Sequence, residues 1–347
     1  MLAALQVGHG TIEEAFRVQE VPTPAPGPGE VLVRVRFTTL NRKDVFALRG
    51  LTGPGIRPRP PLPHVNGGEF MGEIAALGSG VRGWSPGDHV TGFGALYCGE
   101  CEYCQMGEQT ACLHYGLLGE QVWGAHAEYV VVEGKTLERV PDGVDGALVA
   151  CAGSGYNTAW RMLVTAARVQ PGETVLILGA SGGVGTAGIQ IGKLAGCRVI
   201  AVVGGAWKVA RALEIGADHA VDHTREDFLE AARRITGGRG VDVVLDPIGA
   251  DTWRRSINAL RMFGRMAICG ATSGDAPDIS IREVYQSHRQ ILGAPKGNRT
   301  DFTNVLRCIC DGRLAPVIHA RLPLMEMQRG LHMLQDRDFF GKVVLTV

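Results

Sequence analysis

Four cysteines, Cys98, Cys101, Cys104 and Cys112, are the densest chemistry in this sequence, spaced C-x2-C-x2-C-x7-C. Thiolates that close together in tight turns converge on one point, and zinc asks for four soft ligands in a tetrahedron. A set of four leaves no open position for a substrate, so the expected ion is one structural zinc and not a catalytic one. Gly99, Glu100, Glu102 and Gln105 around the cluster read as a surface loop. Cys151, Cys197, Cys269, Cys308 and Cys310 sit in apolar segments and read as small core residues. Clustered plus scattered cysteines fit a reducing compartment and a metal site, not a disulfide scaffold.

A second chemistry lies between residues 174 and 203. Thr174 to Leu178 is a short apolar run rich in β-branched residues, which reads as a buried strand. Gly179-Ala180-Ser181-Gly182-Gly183-Val184-Gly185 follows, then a helical stretch from Thr186 to Leu194, stopped by Gly196. Arg198 to Val203 reads as a second buried strand. Strand, glycine turn, helix, strand is the order a dinucleotide site needs. Gly182 lets the backbone approach a pyrophosphate, Gly185 lets the helix pack tightly, and the helix N-terminus offers free N–H groups to phosphate. Ala180 stands where the first glycine of G-x-G-x-x-G usually sits, and residues 180 to 185 are the expected contacts. An NAD site wants a carboxylate about 20 residues past the turn. Here Val202-Val203-Gly204-Gly205-Ala206-Trp207-Lys208 holds no acid. Gly204 leaves room for an extra phosphate, and Lys208, with Arg211 a turn on, supplies positive charge. NADPH is therefore expected over NADH.

The elements that must position these groups follow from pattern. Residues 1–37 read as β structure broken by the proline-rich turn Pro22 to Pro28, with Val31–Phe37 alternating apolar and basic. Asn41 caps a short helix from about Arg42 to Leu48. A second proline-rich loop, Gly53 to Pro63, leads to strands at 72–77, 89–93 and 127–132. From about 148 to 292, strands alternate with helices in a βα rhythm. The expected helices are 206–215, 226–235 and 252–260, and the expected strands are 220–221, 241–246, 265–269 and 291–293. That divides 347 residues into domain one at 1–147 and 294–347, with a cysteine lobe at 94–114, and domain two at 148–293. Formal charge balances at zero, so neither nucleic acid nor an anionic membrane is favoured as partner. The N-terminus carries no basic region and apolar core of an export signal, so a cytoplasmic protein is expected.

With these landmarks in order, the chain resembles the medium-chain dehydrogenase/reductases over almost its whole length. The β-rich start, the four-cysteine lobe, A-x-G-x-x-G at 180–185 and the closing Gly341-Lys342-Val343-Val344-Leu345 carry the likeness. The resemblance implies an α/β protein with a GroES-like catalytic domain and a Rossmann doubly wound parallel-sheet domain. It also implies a homodimer or homotetramer, and a substrate cleft between domains. Lys342 is counted with the cofactor site. The family's zinc alcohol dehydrogenases hold a catalytic zinc with Cys, His and Cys beside a Glu. Those ligands fall here at Asn41, Gly68 and Ser154, while Glu69 is kept. Asn, Gly and Ser do not replace two thiolates and an imidazole around zinc. The chain is thus similar to the branch with structural zinc only, the quinone and enoyl reductases.

That branch often carries a Tyr where this chain has Phe46. Instead Asn41, Lys43 and Asp44 match the Asn-x-Lys-Asp pattern of acrylyl-CoA-reductase-like members, and these three are the catalytic candidates. Asn41 would donate to an oxygen that gains charge or to the cofactor ribose, Lys43 would orient that oxygen or bind the ribose hydroxyls instead, and Asp44 would hold Lys43. His64, Tyr156, Trp123 and His126 read as packing or structural residues. The expected activity is NADPH-dependent transfer of a hydride to an activated C=C of a conjugated carbonyl, or to a quinone, a small-molecule substrate in either case. An alcohol or aldehyde dehydrogenase, and an NADPH-binding sensor or crystallin-like protein with little turnover, are the alternatives. Specificity is expected in loops around 51–62, 93–97, 114–123 and 270–300.

Overall fold

A computed structural model describes residues 1–50, 58–275 and 280–347, so parts of the expected loops 51–62 and 270–300 lie outside the described residues. The chain forms two compact units. The first comprises Met1–Ser154, Phe302–Gly312 and Ile318–Val347, and the second Gly155–Asp301 and Arg313–Val317. The first unit therefore runs past residue 147. The helix Gly146–Val149 packs into it, because Val149 and Ala150 share a core with Met71, Val140 and Leu306.

Strand Glu30–Leu40 organises the first unit. It pairs antiparallel with Phe70–Leu77, Tyr129–Glu133 and Lys342–Thr346. Its alternating start leaves Arg34 exposed, while Thr38, Thr39 and Leu40 at its end are all buried. Register decides what gathers there. Thr38 lies opposite Phe70 and Leu40 opposite Val343, so Asn41, Glu69 and Lys342 all come to the same end of the sheet. Asn41 is the N-cap of the helix Arg42–Ala47. A helix at Ile12–Ala15, boxed by Thr11 and Glu14, interrupts the N-terminal strands Leu2–Gln6 and Phe16–Glu20.

The second unit holds six parallel strands in the order His219–Asp222, Arg198–Val203, Thr174–Ile177, Val241–Asp246, Leu260–Ile268 and Gln290–Gly293. The chain winds one way from Thr174–Ile177 and then reverses, which creates the switch point of a doubly wound sheet. The helix after the glycine turn spans Gly183–Leu194, starting earlier than its side chains indicate because Gly182 serves as the N-cap. A Cβ at Gly185 would lie 2.4 Å from the Gly179 carbonyl oxygen, so only glycine lets this helix sit on its own turn. No helix among the described residues is long and apolar enough to cross a membrane.

Candidate functional site

Glu69 anchors the polar cluster at the end of the central strand. Its carboxylate is fully buried and accepts from four donors. The Lys342 ammonium and the Asn41 amide each lie 2.7 Å from Oε2, and the Thr39 hydroxyl also donates to that oxygen. Oε1 accepts the Ser154 backbone N–H at 2.5 Å. Lys342 donates as well to Asn41 Oδ1 at 2.7 Å and to the Leu40 carbonyl at 3.3 Å. All three ammonium hydrogens therefore have acceptors inside this cluster. The Asn41 amide is equally engaged, with its second hydrogen 3.3 Å (N···O) from the Thr39 carbonyl. Burying a carboxylate is costly unless it is paired and hydrogen-bonded, and this one is both.

The next two candidates diverge. Asp44 turns into the protein, where its carboxylate accepts the Asn41 backbone N–H at 2.7 Å and lies 3.6 Å from His126 Nε2. Burial alone would raise its pKa, but His126, the Lys43 charge and the Asn41 N–H hold it below the usual carboxylate range. Thr38 gives its hydroxyl hydrogen to the Glu69 carbonyl, so the buried His126 Nδ1 donates to Thr38 at 3.0 Å. Lys43 instead pairs with Glu120 at 3.3 Å, and Glu120 reaches Arg59 at 3.8 Å. The expected Lys43–Asp44 partnership gives way to Lys43–Glu120, because adjacent helix positions do not face each other. The Lys43 ammonium occupies the space beside Gly68, where an added Cβ would lie 2.7 Å from Nζ. His64 is buried, with no close hydrogen-bond partner on either ring nitrogen among the described residues, and burial pushes its pKa down against the opposing effect of the Gly119 backbone.

In the cysteine lobe the four sulfurs lie within 4.8 Å of one another. The Cys98 sulfur is 3.9 Å from that of Cys104 and 3.6 Å from that of Cys112. Tetrahedral zinc with Zn–S near 2.3 Å sets sulfurs about 3.8 Å apart, so the donor set fits zinc. Backbone N–H groups of Cys98 and His114 point at the Cys112 sulfur, each at 3.3 Å. N–H groups of Leu113 and Cys104 hold Cys101 down to about 6, while burial pushes Cys104 up to about 12.

In the second unit, Ala180, Ser181, Gly182, Gly183, Val184 and Gly185 form the turn between the central strand and its helix. Gly204 and Gly205 end the neighbouring strand. Asp222, from the strand beyond, accepts the Gly205 N–H at 2.9 Å and the Thr224 hydroxyl at 2.7 Å. An acid thus does stand beside this turn, supplied by sheet order and not by the local sequence. Lys208 is buried, with its ammonium 5.2 Å from the Trp207 ring centre, and Arg211 pairs with Glu214. Tyr156 is fully buried, whereas Trp123 is half-exposed beside an apolar cavity of about 340 Å³.

A family model described as zinc-binding dehydrogenase matches residues 183–311, and one described as alcohol dehydrogenase GroES-like domain matches residues 27–142. The acryloyl-coenzyme A reductase of Metallosphaera sedula is 33% identical, covering all of both chains. The chain belongs to the zinc-type alcohol dehydrogenase-like medium-chain dehydrogenase/reductases. The acryloyl-coenzyme A reductase of Sulfurisphaera tokodaii is 30% identical over 96% of this chain and 97% of its own. An NAD-dependent alcohol dehydrogenase of Sulfolobus acidocaldarius is 32% identical, again over 96% and 97%. A crystal structure of an NAD-dependent alcohol dehydrogenase matches with TM-score 0.93 and 39% identity over all of both chains. The chain is accordingly an oxidoreductase of the medium-chain dehydrogenase/reductase type, with a GroES-like domain and a Rossmann-like parallel sheet. Asn41, Gly68 and Ser154, the positions the resemblance sets against the family's zinc ligands, lie about the Glu69 cluster: the Asn41 amide and the Ser154 N–H donate to its carboxylate, and Gly68 precedes it. Ammonium groups stand close by, Lys43 against Gly68 and Lys342 on Glu69. Glu120 and Thr39 escaped the sequence reading, because neither lies in a motif.

Proposed function

We propose that this medium-chain reductase uses NADPH to reduce the activated C=C of a conjugated carbonyl, with short 2-enoyl thioesters as the first class to test, and does so without a catalytic zinc. The observation that carries the reading is Lys43, whose ammonium takes the space that Gly68 leaves beside the buried Glu69 cluster. NADPH, when bound, would supply the hydride to the β-carbon, and with Phe46 in place of a tyrosine the α-carbon of the resulting enolate would take its proton from water. The chain's task is then to hold the carbonyl oxygen as negative charge develops on it. A partly exposed ammonium suits that task, since charge-assisted donors aimed at a developing oxyanion contribute most to the rate. Asn41, with its amide already committed to Glu69, Lys342 and Thr39, acts as the brace that ends the strand and starts the Lys43 helix. The two acryloyl-coenzyme A reductases among the relatives support the enoyl class.

The alcohol dehydrogenase relatives favour a second reading. That chemistry, as the family performs it, needs a Lewis acid at the position where this chain offers Asn41, Gly68 and Ser154. The pair Gly204–Gly205 followed by Lys208 supports NADPH over NADH, and the Asp222 carboxylate beside it is engaged by Gly205 and Thr224. The test is a panel of enoyl thioesters, enones, quinones and aldehydes with each nicotinamide, followed by loss of nicotinamide absorbance. Consumption of NADPH with conjugated acceptors supports the reading. Turnover confined to simple aldehydes, and abolished by chelator, overturns it.

A further inference from the structure

We propose that Glu120 is the positioning residue for the Lys43 ammonium, an inference that rests on the role given to Lys43 above. Lys43 sits on a six-residue helix, and the acid next to it in sequence, Asp44, faces Asn41 and His126. The carboxylate that meets Lys43 comes from a separate turn, with Glu120 Oε1 3.3 Å from Nζ and Oε2 3.8 Å from Arg59. That turn is built to hold one place. The N–H groups of Glu120 and Gln121 both donate to the Leu117 carbonyl at 3.0 Å, and the Leu117 N–H returns to the Gln121 side chain at 2.9 Å. The turn also lies directly on the strand end it serves. A Cβ at Gly119 would be 2.5 Å from the Gly67 nitrogen, and one at Gly68 would be 2.9 Å from the Leu118 carbonyl oxygen. Backbone thus abuts backbone at Gly67–Gly68 and Leu118–Gly119, and the next residue along, Glu120, fixes the ammonium that fills the space beside Gly68. The Lys43 side chain is 25% exposed and that of Glu120 20%, so the pair is set at the edge of water and remains open to a substrate oxygen.

A lysine left to itself samples many rotamers, and holding it in one geometry is what a partnered carboxylate contributes. Glu120→Gln should therefore lower kcat for an enoyl substrate about tenfold with KM changed by less than about twofold, the mark of an interaction used chiefly in the transition state. Glu120→Asp should recover part of the loss. In a Lys43→Ala background, Glu120→Gln should cost nothing further. A second measurement does not depend on turnover. The chain has six lysines, so the Lys43 signal in protein carrying ¹³Cε-lysine can be assigned by its loss in Lys43→Ala. In full-length Glu120→Gln with NADPH, that signal should sharpen to that of a freely moving side chain. An unchanged Lys43 signal, or a double variant whose losses simply add, overturns the proposal. A wild type that consumes no conjugated acceptor overturns the enoyl reading instead, and the Lys43 signal still decides the positioning role.

Discussion

A methyl group at position 68 would meet both the Lys43 ammonium and the Leu118 carbonyl oxygen. The ammonium can swing aside at little cost, but the carbonyl belongs to a hydrogen-bonded turn and cannot. Gly68→Ala should thus cost roughly 1–3 kcal/mol of stability, as overpacking typically does. It should also lower turnover of an enoyl substrate by more than that loss accounts for, because Lys43 is displaced. Denaturant titration beside steady-state kinetics separates the two effects. Lys342 answers a different question. Its ion pair with Glu69 is buried on both sides, so Lys342→Met leaves a carboxylate without its counter-charge. A loss of about 3–5 kcal/mol is expected, and Glu69→Gln in the same chain should return part of it. If Lys342→Met were as stable as wild type, the buried pair would not be holding the cluster. At this scale the sequence was legible where ligands are neighbours, as in the cysteine lobe. It was not legible where partners are far apart, since Lys342 meets Glu69 across 273 positions.

Strands and helices were easier to read than their partners. The glycine turn, its helix and the parallel strands stand close to where pattern placed them; the helix starts earlier because Gly182 caps it, and the strand expected at 265–269 begins at Leu260. Asp222 was missed because the acid beside Gly205 comes from an adjacent parallel strand, and no local window contains it. Asp242 shows what such cross-strand contacts do for stability. On strand Val241–Asp246 it accepts the Thr174 N–H at 2.8 Å and takes Arg239 at 2.7 Å, with Arg261 on the same carboxylate. Burial alone would raise its pKa, yet Arg239, the Thr174 N–H and Arg261 hold it down to about 2. A folded-state value below the ordinary 3.8 means the stabilisation is complete above that pH and is lost as pH falls toward 2. Asp242→Asn should therefore melt below wild type by a constant margin between about pH 5 and 7, and the margin should narrow below about pH 4. A margin that stayed constant into strong acid would show that the carboxylate charge is not what ties these strands.

For the whole molecule the sharpest question is how many metal ions one chain holds. The cysteine lobe offers four sulfurs at spacings that suit zinc, and among the described residues it is the one group of side chains arranged as a metal site. The Glu69 cluster has the opposite character, because its carboxylate is already saturated by an ammonium, an amide, a hydroxyl and a backbone N–H. A cation entering there would have to displace Lys342 and break three hydrogen bonds of that ammonium. Purified protein should thus contain one zinc per chain, and elemental analysis reads this directly. Cys101→Ser should lower zinc content and melting temperature together, since binding energy at a structural site is folding energy. Enzyme that survives the substitution should keep the wild-type kcat for a conjugated acceptor, and brief exposure of wild type to chelator should leave that kcat unchanged. Two zinc ions per chain, with activity following the more weakly held one, would mean that Asn41, Glu69 and Ser154 rearrange around a metal. The role proposed for the Lys43 ammonium, to meet the substrate oxygen, would then fall.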